Sequence, residues 1–182
     1  VAVLPDMPEP TWTDSLSLWA KQNSIECYNS GHFKDIPEEL DFDLAISIFY
    51  GKIVSKKFIN RCSEIINLHN APLPKYRGVR PINWALKNNE KYHGVTIHKI
   101  YPDIDNGAIL GKVMYPIYPE IEEVKDVYKK ALEYGWLLFK DVMSKYPYTI
   151  KNAEEQEEES SSYYSMKQNS ALEERSGFTR GE

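Results

Sequence analysis

Apolar residues in the first two thirds of the chain form short runs separated by amphipathic stretches. The segments 43–49 (DLAISIF) and 64–68 (EIINL) are near-continuous apolar runs, which are typical of strands covered on both faces. Apolar and polar residues alternate at 94–100 (GVTIHKI), which predicts a half-buried strand with a partner strand at 108–117. Further short strands are expected at 1–4 and 25–28.

Helices are predicted between and after these strands. The longest is expected at 121–146, where apolar residues recur with a period near 3.6. A proline suited to the first helical turn opens a second helix at 81–88, and shorter helices are expected at 14–23 and from Ser55. Because strands and helices alternate up to about residue 90, the pattern predicts an α/β architecture with a mostly parallel sheet. The hairpin-like pair at 94–117 adds mixed strands to that sheet.

The composition changes after residue 150. The 182-residue chain has a net charge of −5, and residues 151–182 hold eight Glu against four Lys or Arg, which leaves about −1 for residues 1–150. We therefore predict a folded domain over 1–150 and an acidic, aromatic extension over 151–182. Because Tyr163, Tyr164 and Phe178 interrupt its polar composition, we expect this tail to be extended and partly docked.

Composition also narrows the class of protein. A near-neutral body with an acidic tail argues against a nucleic-acid-binding protein, which needs a basic face. Cys27 and Cys62 stand far apart without a CxxC motif, which favours a reducing compartment and no structural metal. No apolar run approaches the length of a membrane span, and no signal peptide is visible. We therefore expect a cytoplasmic protein with no metal, nucleic-acid or membrane partner.

Candidate chemistry lies at the end of the second buried run, where Asn67-Leu68-His69 leads into a loop with two prolines. Residues two apart on a strand point to the same side, so Asn67 and His69 present an amide and an imidazole side by side. They lie at the carboxyl end of a predicted parallel strand, where open α/β sheets bind ligands. An amide donor beside an imidazole suits the stabilisation of an oxyanion.

A second candidate is the acidic loop at 101–107 (YPDIDNG), between two predicted strands. It is consistent with an ordinary Asx-type turn closed by Asn-Gly, or with a loop that aims a carboxylate at His69. Taken alone, an Asn-x-His pair at a strand end is also common, and an isolated histidine is more often structural. The rigid proline loop and the nearby charges of Lys75 and Arg77 favour the functional alternative.

These motifs together resemble the formyltransferase family, which includes methionyl-tRNA, glycinamide ribonucleotide and sugar N-formyltransferases. The resemblance is carried by NLHNAPLPKYRGVRPINWAL, GVTIHKI and DIDNGAI, which follow in order within residues 1–118. Matched residue by residue, it implies a catalytic Asn67, His69 and Asp105, with Gly107 completing a D-x-G motif. It also implies a Rossmann-like formyltransferase fold.

The resemblance further implies that N10-formyltetrahydrofolate donates the formyl group. An amine would attack the formyl carbon while Asn67 and protonated His69 hold the oxyanion. Asp105 would orient the imidazole and assist proton removal, and no metal is implied. The implied contacts of the donor's pterin are Phe49, Tyr50, Gly51, Ile53, Asp103 and Ile104.

Two departures from the family pattern bear on these expectations. The loop after the histidine reads Asn70-Ala71-Pro72-Leu73-Pro74 rather than the frequent S-L-L-P, which leaves the catalytic positions intact and changes the acceptor side. The apolar residues 1–4 match the family's second strand, so a first βα unit of roughly 30 residues is expected to be absent from this sequence.

The sequence constrains the identity of the acceptor amine less closely than it constrains the chemistry of formyl transfer. The stretch from Lys75 to Trp84 is similar to enzymes acting on UDP- or dTDP-linked amino sugars, which implies transfer to a nucleotide-linked 3- or 4-amino deoxysugar and a possible homodimer. The candidate acceptor contacts are Lys75, Tyr76, Arg77, Tyr163, Tyr164, Arg175 and Arg180. The alternatives are methionyl-tRNA or glycinamide ribonucleotide as acceptor, an inactive folate- or sugar-binding module, and a disordered tail. Trp84 is expected in the core.

Overall fold

The computed structural model describes residues 1–9 and 14–173, which divide into two compact units. Of the described residues, the smaller unit contains 1–9, 14–45 and 50–64, and the larger contains 46–49 and 65–173. In the smaller unit, strand β1 (Ala2–Val3) pairs in parallel with strand β2 (Glu26–Cys27), and helix α1 (Leu16–Gln22) connects them. The strands and the helix predicted at this end of the chain are therefore confirmed.

Strand β3 (Phe42–Ile48), helix α2 (Lys56–Ile59) and strand β4 (Cys62–His69) follow. The backbone amide of Phe42 donates to the carbonyl of Arg61, and that of Phe49 donates to the carbonyl of Leu68. From the first of these hydrogen bonds to the second, the donor and the acceptor each lie seven residues further along the chain, so β3 and β4 run parallel.

Strand β5 (Arg77–Gly78), helix α3 (Pro81–Lys87) and the antiparallel strands β6 (Tyr92–Lys99) and β7 (Ile109–Pro116) come next. The main sheet has the order β3-β4-β6-β7, with β4 and β6 also antiparallel. The expected α/β fold with mixed strands at 94–117 is confirmed.

The outer strand β3 differs from expectation. The run 43–49 was predicted to be covered on both faces, yet Ile46 and Ile48 are 41% and 55% exposed. The two side chains lie on the same face because they are two residues apart. In the part of the chain that the structure describes, β3 stands at the edge of the main sheet and this face is only partly covered.

Helix α4 (Val124–Ser144) packs against β6 and β7. It begins later than predicted because Glu123 and Asp126 form a capping box at its first turn. The buried face recurs every three or four residues, as a helix packed on a sheet requires. This face consists of Val124, Val127, Ala131, Gly135, Leu138 and Val142.

The acidic tail lies within the larger unit. Helix α5 (Tyr148–Lys151) precedes it, and strand β8 (Tyr163–Tyr164) pairs in parallel with β5. Helix α6 (Ser170–Glu173) packs on α3, and Leu172 is fully buried. Between residues 152 and 173, the tail therefore contacts the rest of the larger unit through β8 and α6. The remainder of the predicted extension, including Phe178, lies outside the described residues.

Candidate active site

Strand β4 presents Asn67 and His69 on one side of the sheet. In the antiparallel register with β6, Asn67 lies opposite His98 and His69 lies opposite Thr96. Residues that are paired across strands project to the same face. The imidazole of His98 therefore joins the amide of Asn67, and the Asn67 amide nitrogen lies 3.2 Å from Nε2 of His98.

The proline loop after His69 is fixed by side chains of the neighbouring strands. The hydroxyl of Thr96 donates to the carbonyl of Ala71 at 2.7 Å and accepts from the amide of Leu73 at 3.1 Å. The side chain of His93 bonds to the carbonyl of Asn70, and Lys112 donates to the carbonyl of Leu73. The loop therefore has a defined conformation, as its prolines predicted.

The acidic loop at 101–107 places the carboxylate of Asp105 beside His69 and His98. One carboxylate oxygen lies 3.7 Å from Nδ1 of His69, and the other lies 3.7 Å from Nε2 of His98. The oxygen that faces His69 also accepts a hydrogen bond from the amide of Gly78 at 2.8 Å. The structure thus gathers the amide, the imidazole and the carboxylate of the three expected residues, and His98 with them.

The hydrogen bonds of the two imidazoles assign their protons. A backbone carbonyl can only accept, so Nε2 of His69, 3.0 Å from the carbonyl of Tyr76, carries a hydrogen. Its Nδ1 is therefore the nitrogen left for Asp105 and for a ligand. By the same reasoning, Nδ1 of His98 donates to the carbonyl of Lys99 at 2.7 Å, and its Nε2 accepts from the amide of Asn67.

His98 is a site residue that the sequence patterns did not single out. Burial, with the neighbouring His69 as a second cause, lowers the pKa of His98 to about 4, while Asp105 opposes the shift. It is therefore neutral at pH 7, which leaves its Nε2 an acceptor. The only signal in the sequence was its place in the alternating segment 94–100, and that signal does not give the register with β4.

The side chains of the basic-aromatic-basic run at 75–77 differ in exposure, since one faces solvent and two are buried. Lys75 is exposed. Tyr76 is buried and its hydroxyl donates to Glu90, and burial raises the pKa of that hydroxyl. The guanidinium of Arg77 is buried against Glu158, 2.9 Å away, and Gln156. Lys75 is thus the member of the run whose side chain faces solvent.

The two tail tyrosines also differ in environment. Tyr164 stacks between Trp84, at a ring distance of 4.4 Å, and Tyr76, at 5.5 Å. Trp84 is buried, so its expected place in the core is confirmed. Tyr163 is about half exposed. The candidates Arg175 and Arg180 lie outside the described residues.

Two glycines of the motifs are required by close backbone approaches. A Cβ on Gly107 would collide with the carbonyl oxygen of Lys99. A Cβ on Gly78, whose φ is +92°, would collide with the carbonyl oxygen of Tyr164 on the paired strand β8. The first glycine lets the Asp105 loop close onto β6, and the second lets the tail lie against β5.

The residues expected to contact the formyl donor are divided between the two units. In the larger unit, Phe49 has a left-handed φ of +50° and contacts the ring of Tyr128, while Asp103 and Ile104 are exposed beside Asp105. In the smaller unit, the hydroxyl of Tyr50 donates to the carbonyl of Gly31. Gly51 and Ile53 in that unit are exposed.

Across residues 1–9 and 14–173, His, Cys, Asp and Glu side chains form no group of three or more that could hold a metal ion. Within the same residues, no helix combines the length and the apolar character needed to cross a membrane.

The sequence and the fold are similar to those of proteins that transfer formyl groups. The family model described as formyl transferase matches residues 25–143, which is more than half of the chain. The chain therefore belongs to the formyl transferase family. The methionyl-tRNA formyltransferase of Fervidobacterium nodosum is 34% identical over 116 residues, which cover 64% of this chain and 37% of that protein.

Solved structures with the same fold include sugar enzymes. WlaRD, a sugar 3N-formyl transferase crystallised in the presence of dTDP and 5-N-formyl-THF, is 29% identical with a TM-score of 0.72 and covers 89% of this chain and 57% of its own. The N-formyltransferase from Helicobacter canadensis, in complex with folinic acid and dTDP-3-aminofucose, is 31% identical with a TM-score of 0.71. That likeness covers 89% of this chain and 58% of the other. The chain thus spans well under two thirds of each of these proteins.

Proposed function

We propose that this chain carries the catalytic site of an enzyme that transfers a formyl group from N10-formyltetrahydrofolate to the amine of a nucleotide-linked amino sugar. The observation that carries the proposal is the meeting of Asn67, His69 and Asp105 around one point at the end of β4. An amide donor, an imidazole and a carboxylate are the groups that acyl transfer to an amine requires. The hydrogen-bond donors of this site, Asn67 and protonated His69, also suit a formyl oxygen, which only accepts hydrogen bonds.

The folate supplies the electrophilic formyl carbon when it is bound. One N–H of Asn67 is directed to His98, so the second is available to the formyl oxygen. Protonated His69 donates from Nδ1, since its Nε2 hydrogen is bonded to the carbonyl of Tyr76. Together they stabilise the oxyanion that forms as the amine nitrogen bonds to the formyl carbon.

In this mechanism, Asp105 takes up the proton that the attacking amine loses. Its carboxylate faces Nδ1 of His69 at 3.7 Å, so it stabilises the imidazolium and can accept the amine proton. As the bond between the formyl carbon and N10 breaks, a proton must reach N10. The overall exchange is balanced, because the acceptor gains the formyl group and loses one hydrogen while the folate gains that hydrogen. No other reactant is needed.

Two observations support a sugar acceptor over transfer RNA. Two sugar enzymes share the fold over 89% of this chain. The chain has a net charge of −5, whereas binding to transfer RNA calls for a basic surface. Exposed Lys75 next to the site and half-exposed Tyr163 are the side chains we propose for contact with the diphosphate and the base of the nucleotide.

Methionyl-tRNA is the second candidate acceptor, and the 34% identity to a methionyl-tRNA formyltransferase favours it. That match covers 37% of the relative's length, so it bears on the shared catalytic region. Donor chemistry and the Asn67, His69 and Asp105 roles are the same in both candidates.

The test is release of tetrahydrofolate by the intact protein with N10-formyltetrahydrofolate and a panel of acceptors. We expect turnover with dTDP- or UDP-linked amino sugars that is abolished in an Asn67→Ala variant. Turnover with methionyl-tRNA or glycinamide ribonucleotide alone would overturn the acceptor assignment. Folate binding without transfer to any acceptor would overturn the catalytic assignment and leave a binding module.

A further inference from the structure

The side chain of Gln156, in the acidic tail, connects the tail to the loop that carries Asp105. Its amide nitrogen donates to the backbone carbonyls of Asp105 and Gly107, both at 2.8 Å. Its oxygen accepts from two nitrogens of Arg77, at 3.1 and 2.9 Å. Both hydrogens and both lone pairs of the carboxamide are thus used, although the tail is polar and largely exposed.

These partners fix the orientation of the Gln156 amide. Backbone carbonyls only accept and a guanidinium only donates, so exchanging the amide's nitrogen and oxygen would break all four bonds. Arg77 is itself held by Glu158. The two terminal nitrogens of Arg77 donate to the two carboxylate oxygens of Glu158, at 3.0 and 2.9 Å. Burial of Arg77 and this paired contact make it a fixed anchor for Gln156.

The loop needs such support because Asp105 has an unusual backbone. Its φ is +52°, in the left-handed region that residues other than glycine rarely adopt. Strain of this kind persists only where surrounding contacts determine the conformation. In the described residues two contacts do so, since Gly78 bonds the Asp105 carboxylate and Gln156 bonds its carbonyl.

The tail is held in place on both sides of Gln156. Before it, Glu154 forms an antiparallel bridge with Ile109, with amide-to-carbonyl distances of 2.7 and 2.9 Å. After it, the hydroxyl of Ser162 accepts from the amide of Tyr76 at 2.8 Å. The position of Gln156 is therefore set by the fold rather than by the rotamer of one exposed side chain.

We propose that Gln156 is a positioning residue for Asp105, so that the acidic tail completes the catalytic loop from a distant part of the sequence. The inference rests on the proposed formyl transfer, in which the Asp105 carboxylate must face His69. Without the Gln156 bonds, the loop relaxes from its left-handed backbone and the carboxylate turns away from the imidazole.

The test compares Gln156→Met, which keeps the volume and removes all four bonds, with Gln156→Glu, which keeps the acceptor for Arg77 and loses the donor. The matched control is Glu157→Gln at the adjacent exposed position. We expect kcat to fall about 10- to 100-fold in both Gln156 variants, with KM for each substrate changed less than about threefold, because misplaced catalytic groups cost this much. The control keeps wild-type kcat, and all variants keep the wild-type thermal midpoint within a few degrees.

A second measurement does not depend on turnover. Hydrogen exchange at the amide of Gly78, which donates to the Asp105 carboxylate at 2.8 Å, reports whether that carboxylate keeps its place. We expect this amide to lose protection in Gln156→Met and to keep it in Glu157→Gln. If wild-type protein shows no formyl transfer, the proposed function fails while this exchange measurement still tests the positioning role. Folded Gln156 variants with unchanged protection of the Gly78 amide and, where the enzyme is active, unchanged kcat overturn the inference.

Discussion

Asn67 and His98 face each other across strands β4 and β6, with the amide nitrogen of Asn67 3.2 Å from Nε2 of His98. The neighbouring Nδ1 of His98 donates to the carbonyl of Lys99, so Nε2 must accept. This single acceptor decides which way the Asn67 amide points. A nitrogen donor rather than an oxygen is thereby held beside His69.

Replacing His98 by leucine removes the acceptor and lets the Asn67 amide rotate. We expect kcat to fall about tenfold, because the oxyanion donor is then correctly placed only part of the time. His98→Gln offers a carbonyl acceptor and should recover part of the loss. Steady-state kinetics of the two variants check this, and equal losses in both would show that His98 acts through bulk or charge.

Replacing Asn67 by alanine removes the side chain that we propose as the oxyanion donor. We expect kcat to fall about 100-fold or more with little change in folate binding, as for loss of one such donor in acyl-transfer enzymes. Asn152→Ala is the matched control, since the exposed side-chain amide of Asn152 donates to the carbonyl of Tyr148 and, among residues 1–9 and 14–173, has no other partner. Measuring kcat and the folate dissociation constant separates lost catalysis from lost binding, and wild-type turnover in Asn67→Ala contradicts the mechanism.

The local sequence was enough to predict the elements that hold the site. Asn67 and His69 could be paired because a strand repeats every two residues, and Asp105 could be placed in a turn because its loop ends in Asn-Gly. The apolar runs and the period of the long helix also predicted the sheet and α4, which the structure contains.

Contacts distant in sequence could not be predicted in the same way. His98 is a site residue because of the register between β4 and β6, which alternation within one strand does not encode. Arg77 reads locally as a cation for a ligand, but its partner Glu158 lies 81 residues further along. The exposure of Ile46 and Ile48 depends on what lies beside β3, which an apolar run cannot specify.

Buried His93 predicts how stability depends on pH. Burial lowers the pKa of His93 to about 4, from an ordinary value of 6.5. As the pH falls below 6.5, the unfolded chain binds a proton at this position before the folded protein does. The contribution of His93 to the free energy of unfolding is therefore complete above pH 6.5 and is lost as the pH falls towards 4, by about 1 kcal/mol per pH unit.

Urea unfolding of wild type and His93→Gln between pH 7 and 4.5 measures this loss. Carboxylates also titrate at the acid end, so the informative quantity is the difference between the two proteins. We expect the free energy of unfolding of the wild type to fall more steeply with acidification than that of the variant. Parallel curves would mean that His93 gains a proton as readily in the folded protein as in the unfolded chain.

Gly78 predicts how the tail and the catalytic loop depend on each other. An alanine Cβ at this position would collide with the carbonyl oxygen of Tyr164, and the φ of +92° is itself unfavourable for alanine. The carbonyl oxygen belongs to the backbone and the position of a Cβ is fixed by the backbone, so no side-chain rotation can relieve the clash. We expect Gly78→Ala to lower the free energy of unfolding by about 2 kcal/mol and to separate β8 from β5.

Hydrogen exchange locates the change. The amide of Arg77 donates to Ser162 and the amide of Val79 donates to Tyr164, so both should lose protection in the variant while the amides of β6 and β7 keep theirs. Gly135→Ala in α4 is the control, because among the described residues its added Cβ meets the side chain of Leu68 at ordinary contact distances of 3.4 and 3.5 Å. Because the amide of Gly78 also bonds the Asp105 carboxylate, kcat should fall together with the protection of these two amides. Lost protection with full kcat would show that the tail can leave without disturbing the catalytic loop.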